Sequence, residues 1–78
     1  MYIPEENASN DRFIELAEKR TQRILDALRL LGNLSNRSNY AYREKDYEKI
    51  FRTIKKDLRE CEARFAGREV ESKKFKLR

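Results

Sequence analysis

The side chains best suited to binding a ligand are concentrated in one polar stretch near the middle of the chain, from residue 32 to residue 42. Tyrosine rings stack on nucleobases, while asparagine amides and an arginine guanidinium hydrogen-bond a base edge or a phosphate. Asparagine and serine are equally favoured in turns, because their side chains bond nearby backbone groups. The stretch is therefore either a binding site or only a hinge. Its candidate ligand-binding residues are Asn36, Arg37, Asn39 and Tyr40.

A second candidate surface is a row of cations that follows this stretch at spacings of four and three residues, which places them on one face of a helix. Like charges four residues apart, such as Lys45 and Lys49, cost a few tenths of a kcal/mol, so the row favours binding to phosphates or to an acidic protein. An ordinary solvated face is the alternative, since Glu48/Arg52 and Glu60/Arg64 are favourable pairs. This cationic ridge comprises Lys45, Lys49, Arg52, Lys56 and Arg59.

Catalytic and metal chemistry find little support in the composition. The chain has no histidine and one cysteine, so Ser35 and Ser38 have no evident general base, and neither a zinc site nor an internal disulfide is indicated. We therefore expect a protein that is not an enzyme and that uses neither a cofactor nor a metal. Cys61 is expected to be a small buried hydrophobic residue.

Two amphipathic helices must position these residues. Apolar side chains before and after the polar stretch recur at alternating spacings of three and four, as in a coiled coil. Tyr42 stands close enough to Tyr47 and Phe51 to cap the second row, which favours a structural role for it. The first seam is Ile14, Ala17, Thr21, Ile24, Leu28 and Leu31, and the second seam is Tyr47, Phe51, Ile54, Leu58, Cys61 and Phe65.

The boundaries follow from capping residues. A flexible arm is expected at 1–9, a helix at 10–32 with Ser9 or Asn10 as its N-cap, a turn at 33–42, a helix at 43–66 and a basic tail at 67–78. Gly32 is expected to end the first helix in a left-handed conformation, unless the helix runs on to Leu34 and ends on an asparagine. Gly67 is expected to end the second helix. The tail is read as a disordered arm, a short strand or an arm that a partner orders.

The first helix carries more apolar surface than one seam uses. A parallel row, called the association line, is apolar at both ends and cationic in its middle. Exposed leucines in such a row mark an interface, although edge packing within the hairpin is the alternative. We expect an all-α antiparallel two-helix hairpin that pairs, as a dimer first of all, into a four-helix bundle. The association line is Phe13, Leu16, Arg20, Arg23, Ala27, Leu30 and Leu34.

Length and charge limit the range of functions that the chain can have. Seventy-eight residues make one small domain, whose two helices need oligomerisation to bury enough apolar surface. A net charge of +5 favours anionic partners. Neither a signal peptide nor a membrane span is recognisable, so we expect a cytoplasmic protein. The leading hypothesis is a small oligomeric regulatory protein that binds nucleic acid or another polyanion. The alternative is an inhibitor of a host defence system that binds a protein or sequesters a nucleotide.

The segment Arg12–Phe65 carries a family resemblance, mainly through LRLLGNLSNRSNYAY at 28–42 and KIF at 49–51. It resembles a group of short helical-hairpin proteins encoded on bacterial plasmids, conjugative elements and phages. The resemblance implies that the chain comes from a mobile genetic element, and it implies no activity. Members of the group open their second helix with a threonine and an acid, whereas this chain has Tyr42-Arg43-Glu44.

Overall fold

The computed structural model describes residues 4–67 and 75–77, with side chains from residue 8 onward. This part of the chain contains two helices, α1 (Pro4–Asn33) and α2 (Glu44–Phe65), and no strand. The predicted all-α class is confirmed. The chain divides into two units, Met1–Tyr40 with α1 and Ala41–Arg78 with α2, and each is described by itself.

Helix α1 begins at Pro4, six residues before the predicted start. Proline is well suited to the first position of a helix, because its fixed φ angle is helical and its missing N–H would have no partner there. The prediction of a flexible arm is therefore wrong for residues 4–9, and so is the N-cap at Ser9 or Asn10. Residues 1–3 lie outside the described part.

Helix α1 ends at Asn33, one residue beyond the predicted end. Gly32 lies inside the helix, and among the described residues only Gly67 has a positive φ, so the left-handed conformation predicted for Gly32 is wrong. The helix instead closes with tighter bonds, from the Leu34 N–H to the Leu31 carbonyl and from the Ser35 N–H to the Gly32 carbonyl, each 3.0 Å. Such three-residue bonds satisfy terminal carbonyls without a left-handed residue.

Helix α2 begins after Arg43, which has extended backbone angles and serves as the N-cap. The Asp46 carboxylate reaches back and accepts a hydrogen bond of 2.9 Å from the Arg43 backbone N–H. The Asp46 N–H in turn donates to the Arg43 carbonyl at 3.0 Å. A carboxylate in the first turn also complements the helix dipole, so Asp46 supplies the capping that arginine cannot. The predicted start at residue 43 is correct to within one residue.

Helix α2 ends at Phe65, and Gly67 follows with φ +83°. The Gly67 N–H donates to the Arg64 carbonyl at 3.1 Å, which satisfies one of the last carbonyls of the helix. A residue with a Cβ is strained at this φ, and glycine is not. The predicted end of the second helix at Gly67 is confirmed.

The apolar seams are largely exposed in the single chain. Ala63 is the one buried hydrophobic residue among those described, at 9% exposure, whereas Ile24 and Leu58 are each 60% exposed and Phe65 is 77% exposed. Cys61 is also exposed, so its predicted burial is wrong. Its position on the seam buries it only if another surface covers that seam. In the described part, neither helix has the length and apolar character needed to cross a membrane.

The end of the chain contacts α2. Residues 75–77 have no regular secondary structure. The Leu77 carbonyl nevertheless accepts a hydrogen bond of 2.9 Å from the Lys49 ammonium. Of the tail predicted at 67–78, residues 68–74 and 78 lie outside the described part. The segment 75–77 therefore has a defined anchor on α2.

Candidate polyanion-binding surface

The cationic ridge lies on α2, and four of its five side chains are exposed. Lys45, Arg52, Lys56 and Arg59 fall within about 60° of one another around the helix and span about 21 Å along it. All four are long side chains on one rigid element. The ridge therefore presents a continuous line of positive charge on which several phosphates of one strand can bind simultaneously.

The ridge cations are not neutralised by nearby acids. The ion pairs of the described residues include Asp26–Arg29 and Asp46–Arg43, and neither of these involves the ridge. The pairs predicted at Glu48/Arg52 and Glu60/Arg64 are absent from this part of the structure, so that prediction is wrong. Exposed pairs of this kind gain little, because both long side chains lose conformational freedom. The ridge cations consequently keep their hydrogen-bond donors available to a ligand.

Lys49 is the exception in the ridge. Its side chain is half-buried and donates to the Leu77 carbonyl rather than standing in solvent. Helical spacing predicts the position of Lys49 in the row. It does not predict the contact with Leu77, because that residue lies far away in the sequence. An ammonium has three N–H donors, so Lys49 still contributes charge to the ridge. Its main contact is with the C-terminal segment.

The polar stretch folds as a turn whose conformation is set by Asn36. The Asn36 side-chain oxygen accepts a hydrogen bond of 3.0 Å from the Ser38 N–H. The Asn36 carbonyl accepts the N–H groups of Asn39 at 3.1 Å and Tyr40 at 3.0 Å. These are the local bonds that favour asparagine in turns, so Asn36 has a structural role here. As a ligand contact it has less hydrogen-bonding capacity left.

The remaining candidates in the turn are exposed. Tyr40 is 47% exposed, which leaves part of its ring accessible for stacking. Arg37 and Asn39 are exposed as well. These residues belong to the unit that contains α1, whereas the ridge belongs to the unit that contains α2. The structure thus provides two candidate binding surfaces, the turn and the cationic ridge. Each surface is considered separately as a ligand-binding site.

Tyr42 packs against α2, as expected for a structural residue. Its ring meets the Tyr47 ring edge to face, with centroids 6.1 Å apart and planes at 78°. This is the arrangement that aromatic quadrupoles favour. Tyr42 is half-buried, and together with the Arg43–Asp46 pair it stabilises the start of α2. Sequence reasoning missed that pair, although an acid three residues after the N-cap is a recognisable capping signal.

A groove of 690 Å³ on α1 is a further concave surface, and it is lined by α1 residues alone. Carboxylates outnumber cations in its lining, so it disfavours an anionic ligand. Asp26 there already accepts hydrogen bonds from Gln22 at 2.9 Å and from Arg29 at 2.8 Å. The groove is therefore a poor candidate for the polyanion site. Its lining residues are Asp11, Ile14, Glu15, Glu18, Lys19, Gln22, Arg23 and Asp26.

The association line on α1 is mostly accessible. Leu30 is 68% exposed, Phe13 and Leu34 are about half exposed, and Leu16 is half-buried. Its middle residues Arg20, Arg23 and Ala27 are exposed too. Within the described residues, no group of three or more histidine, cysteine or acidic side chains is placed to hold a metal ion.

Comparison of the chain with protein-family models, with curated proteins and with solved structures found no match. The resemblance to hairpin proteins of mobile genetic elements therefore stays a prediction. The arguments for function rest on the surfaces just described.

Proposed function

We propose that this protein is a non-enzymatic, self-associating helical protein that binds nucleic acid or a similar polyanion through the cationic ridge of α2. The observation that carries the proposal is the row of exposed cations Lys45, Arg52, Lys56 and Arg59, which form no ion pair with any described residue. Lysine and arginine side chains that neutralise phosphates release the counterions condensed on a nucleic acid, so such a surface binds it without needing a pocket. The turn is a separate candidate surface with a ring at Tyr40 and a guanidinium at Arg37.

Self-association is the second part of the proposal. In proteins most helical stability comes from burying an amphipathic face rather than from intrinsic propensity. Both helices carry exposed apolar side chains, such as Leu30 on α1 and Leu58 on α2. The arrangement that we propose is an antiparallel hairpin of α1 and α2 that pairs with a second copy into a four-helix bundle. In that assembly each copy presents its own ridge.

Salt dependence tests the polyanion proposal. The affinity for a fluorescein-labelled DNA duplex is measured by anisotropy from 50 to 200 mM NaCl. Four ridge cations predict a slope of log K against log salt of about −3 to −4, hence a loss of roughly 100-fold over this range. The double substitution Arg52→Gln/Lys56→Gln should lower the magnitude of the slope by about 2. A labelled single strand, measured in parallel, shows whether stacking at Tyr40 adds affinity.

A matched control keeps the net charge equal. Arg12→Gln/Lys19→Gln removes the same two charges from exposed positions of α1. This variant should retain most of the affinity and the salt slope, because its charges lie outside the ridge. Equal losses in the two variants would show that net charge alone attracts DNA. Absence of binding at 50 mM NaCl would refute the proposal.

A protein-directed inhibitor is the second candidate function. The observation that favours it is the exposed second seam, where Phe51, Leu58 and Phe65 offer aromatic and aliphatic anchors. Pull-down from bacterial lysate before and after nuclease treatment distinguishes the two candidates. One stoichiometric protein that survives nuclease favours an inhibitor, and material that nuclease removes favours the polyanion binder. A nucleotide released from the purified protein would indicate sequestration.

A further inference from the structure

We infer that the surface by which two copies associate is the first seam of α1, and that the two α1 helices pair antiparallel about a two-fold axis between Gln22 and Arg23. The inference rests on the self-association in the proposed function and specifies its geometry. The occupant that we assign to this seam is the α1 helix of a second copy, and in the proposed four-helix bundle the same seam faces the core that is shared with α2. The argument comes from which side chains such a pairing brings together.

The register follows from the sizes of the seam residues. About this axis Ile14 faces Leu31 of the second copy, Ala17 faces Leu28, and Thr21 faces Ile24, so every seam position is used. Small residues oppose large ones, which is what interdigitated packing needs. A parallel pairing instead places Ala17 opposite Ala17 and Thr21 opposite Thr21. Two adjacent layers of the interface would then contain only small side chains. Registers shifted by one heptad leave positions at the ends of the seam uncovered.

The residues that flank the first seam agree with the antiparallel pairing. On one side Phe13 meets Leu34 of the second copy, and Arg20 meets Ala27. These four belong to the association line, so the same pairing covers its two outermost residues, Phe13 and Leu34. The other side, which carries Glu18 and Leu25, is left for α2 in the proposed bundle. No like charges meet across the seam, which removes the usual electrostatic penalty for a homodimer.

The second seam on α2, paired with itself in the same way, brings like charges together. An antiparallel pairing of two α2 helices, centred between Ile54 and Leu58, sets Lys55 against Lys55 and Asp57 against Asp57. It also sets Glu48 against Glu62. Like charges in such flanking positions are the device by which coiled coils reject a partner. The charges therefore assign self-recognition to α1 and not to α2.

Exposure in the single chain leaves the first seam open to a partner. Ile24 is exposed to 60%, and Ile14 and Leu28 are exposed as well. Phe13 and Leu34, the flanking pair at each end, are also exposed. An axis between Gln22 and Arg23 places Ile24 close to the centre of the contact. Residues near the centre of an interface carry most of the binding energy.

Disulfide trapping tests the direction of the pairing. Ala17→Cys and Leu28→Cys chains are prepared in a Cys61→Ser background, mixed in equal amounts and oxidised gently in glutathione buffer. In the antiparallel dimer, residue 17 lies in the same layer as residue 28 of the other copy. Two copies of residue 17 are about 16 Å apart along the axis, which is beyond the reach of a disulfide. Mass spectrometry should find the mixed disulfide and less than one tenth as much of either symmetric disulfide.

The outcomes separate clearly. If symmetric disulfides form as often as random pairing of the two chains predicts, or more often, the pairing is parallel or non-specific. That result would overturn the inference. Absence of any cross-link together with a monomeric mass would also overturn it. Cross-linking needs no destabilising substitution at the centre of the interface, so a failure to fold does not confuse its result.

A charge-matched pair of variants tests the surface itself. Ile24→Glu places a carboxylate near the axis twice, and it should raise the dimer dissociation constant at least about 100-fold in sedimentation. Lys19→Gln changes the net charge by the same amount on the opposite face of α1 and should leave the constant within about twofold. Equal effects would overturn the inference. The salt experiment on the ridge and the disulfide experiment can give different results. If the protein binds DNA through the ridge but forms symmetric disulfides, the antiparallel α1 pairing is wrong and the proposed function still stands.

Discussion

The two helices differ in how much of their stability is encoded locally. Helix α2 has a recognisable group at each end, the Asp46 carboxylate bonded to the Arg43 N–H at 2.9 Å and Gly67 with φ +83°. Helix α1 ends in tight turns around Gly32 without a left-handed residue. Helix α1 in turn carries the seam that we propose for pairing with a second copy. The difference teaches that the ends of one helix in a small protein can be specified by local capping groups while those of its neighbour are not.

The largest expected effect comes from removing the cap of α2. Asp46 is 5% exposed, and Asp46→Ala leaves the Arg43 N–H without its acceptor. We expect the free energy of unfolding to fall by about 1–2 kcal/mol. Urea unfolding followed by circular dichroism, at one fixed protein concentration, measures the change.

Asp26 on α1 provides the matched control for Asp46. It also bonds an arginine, Arg29 at 2.8 Å, but both side chains are more than half exposed. Asp26→Ala should change the free energy of unfolding by no more than about 0.5 kcal/mol, because exposed ion pairs contribute little. Equal losses for the two substitutions would contradict the contrast between the helices.

A smaller loss is expected at the other end of α2. Gly67→Ala forces a Cβ into the left-handed region, which costs about 1 kcal/mol. No heavy atom lies within 4 Å of a Cβ built there, so backbone strain rather than a clash is the cause. Gly67→Asn should lose less than Gly67→Ala, since asparagine tolerates this conformation better. The reverse order in thermal melts would contradict the strain argument.

The smallest effect, with the opposite sign, is expected at Gly32. This glycine lies within α1, and a Cβ added to it would have nothing within 4 Å. Gly32→Ala should therefore raise the free energy of unfolding by about 0.5–1 kcal/mol, because alanine loses less backbone entropy in a helix. A loss of stability at Gly32 would mean that this position needs the freedom of glycine after all.

Much of the fold was predictable from local pattern. The periods of the two seams predict two helices, and Gly67 predicts the end of the second one. The start of α1 at Pro4 does not follow from the sequence alone, because proline ends a helix at most positions and suits only the first helical position. The conformation of Gly32 was missed because a glycine near a helix end favours a left-handed residue without requiring one. Boundaries set by such close alternatives are the weakest part of a sequence-based prediction.

The candidate site was predictable only in part. Helical spacing places the ridge cations on one face, because that depends on the period alone. Spacing does not reveal that the Leu77 carbonyl engages Lys49, since this contact joins residues far apart in sequence. Spacing also does not show that the side-chain oxygen of Asn36 accepts a hydrogen bond from the Ser38 N–H. Whether a polar side chain is a ligand contact depends on what else it bonds, and that requires coordinates.

The bond between Lys49 and the end of the chain has a consequence for which substitutions the protein tolerates. The acceptor is the main-chain oxygen of Leu77, which every amino acid possesses. As far as this bond is concerned, residue 77 is free to vary, while residue 49 is restricted to side chains with a long N–H donor. The two partners in one contact therefore face unequal mutational constraint. Substitution of residue 77 can therefore leave this attachment intact, provided that the number of residues between 49 and 77 is kept.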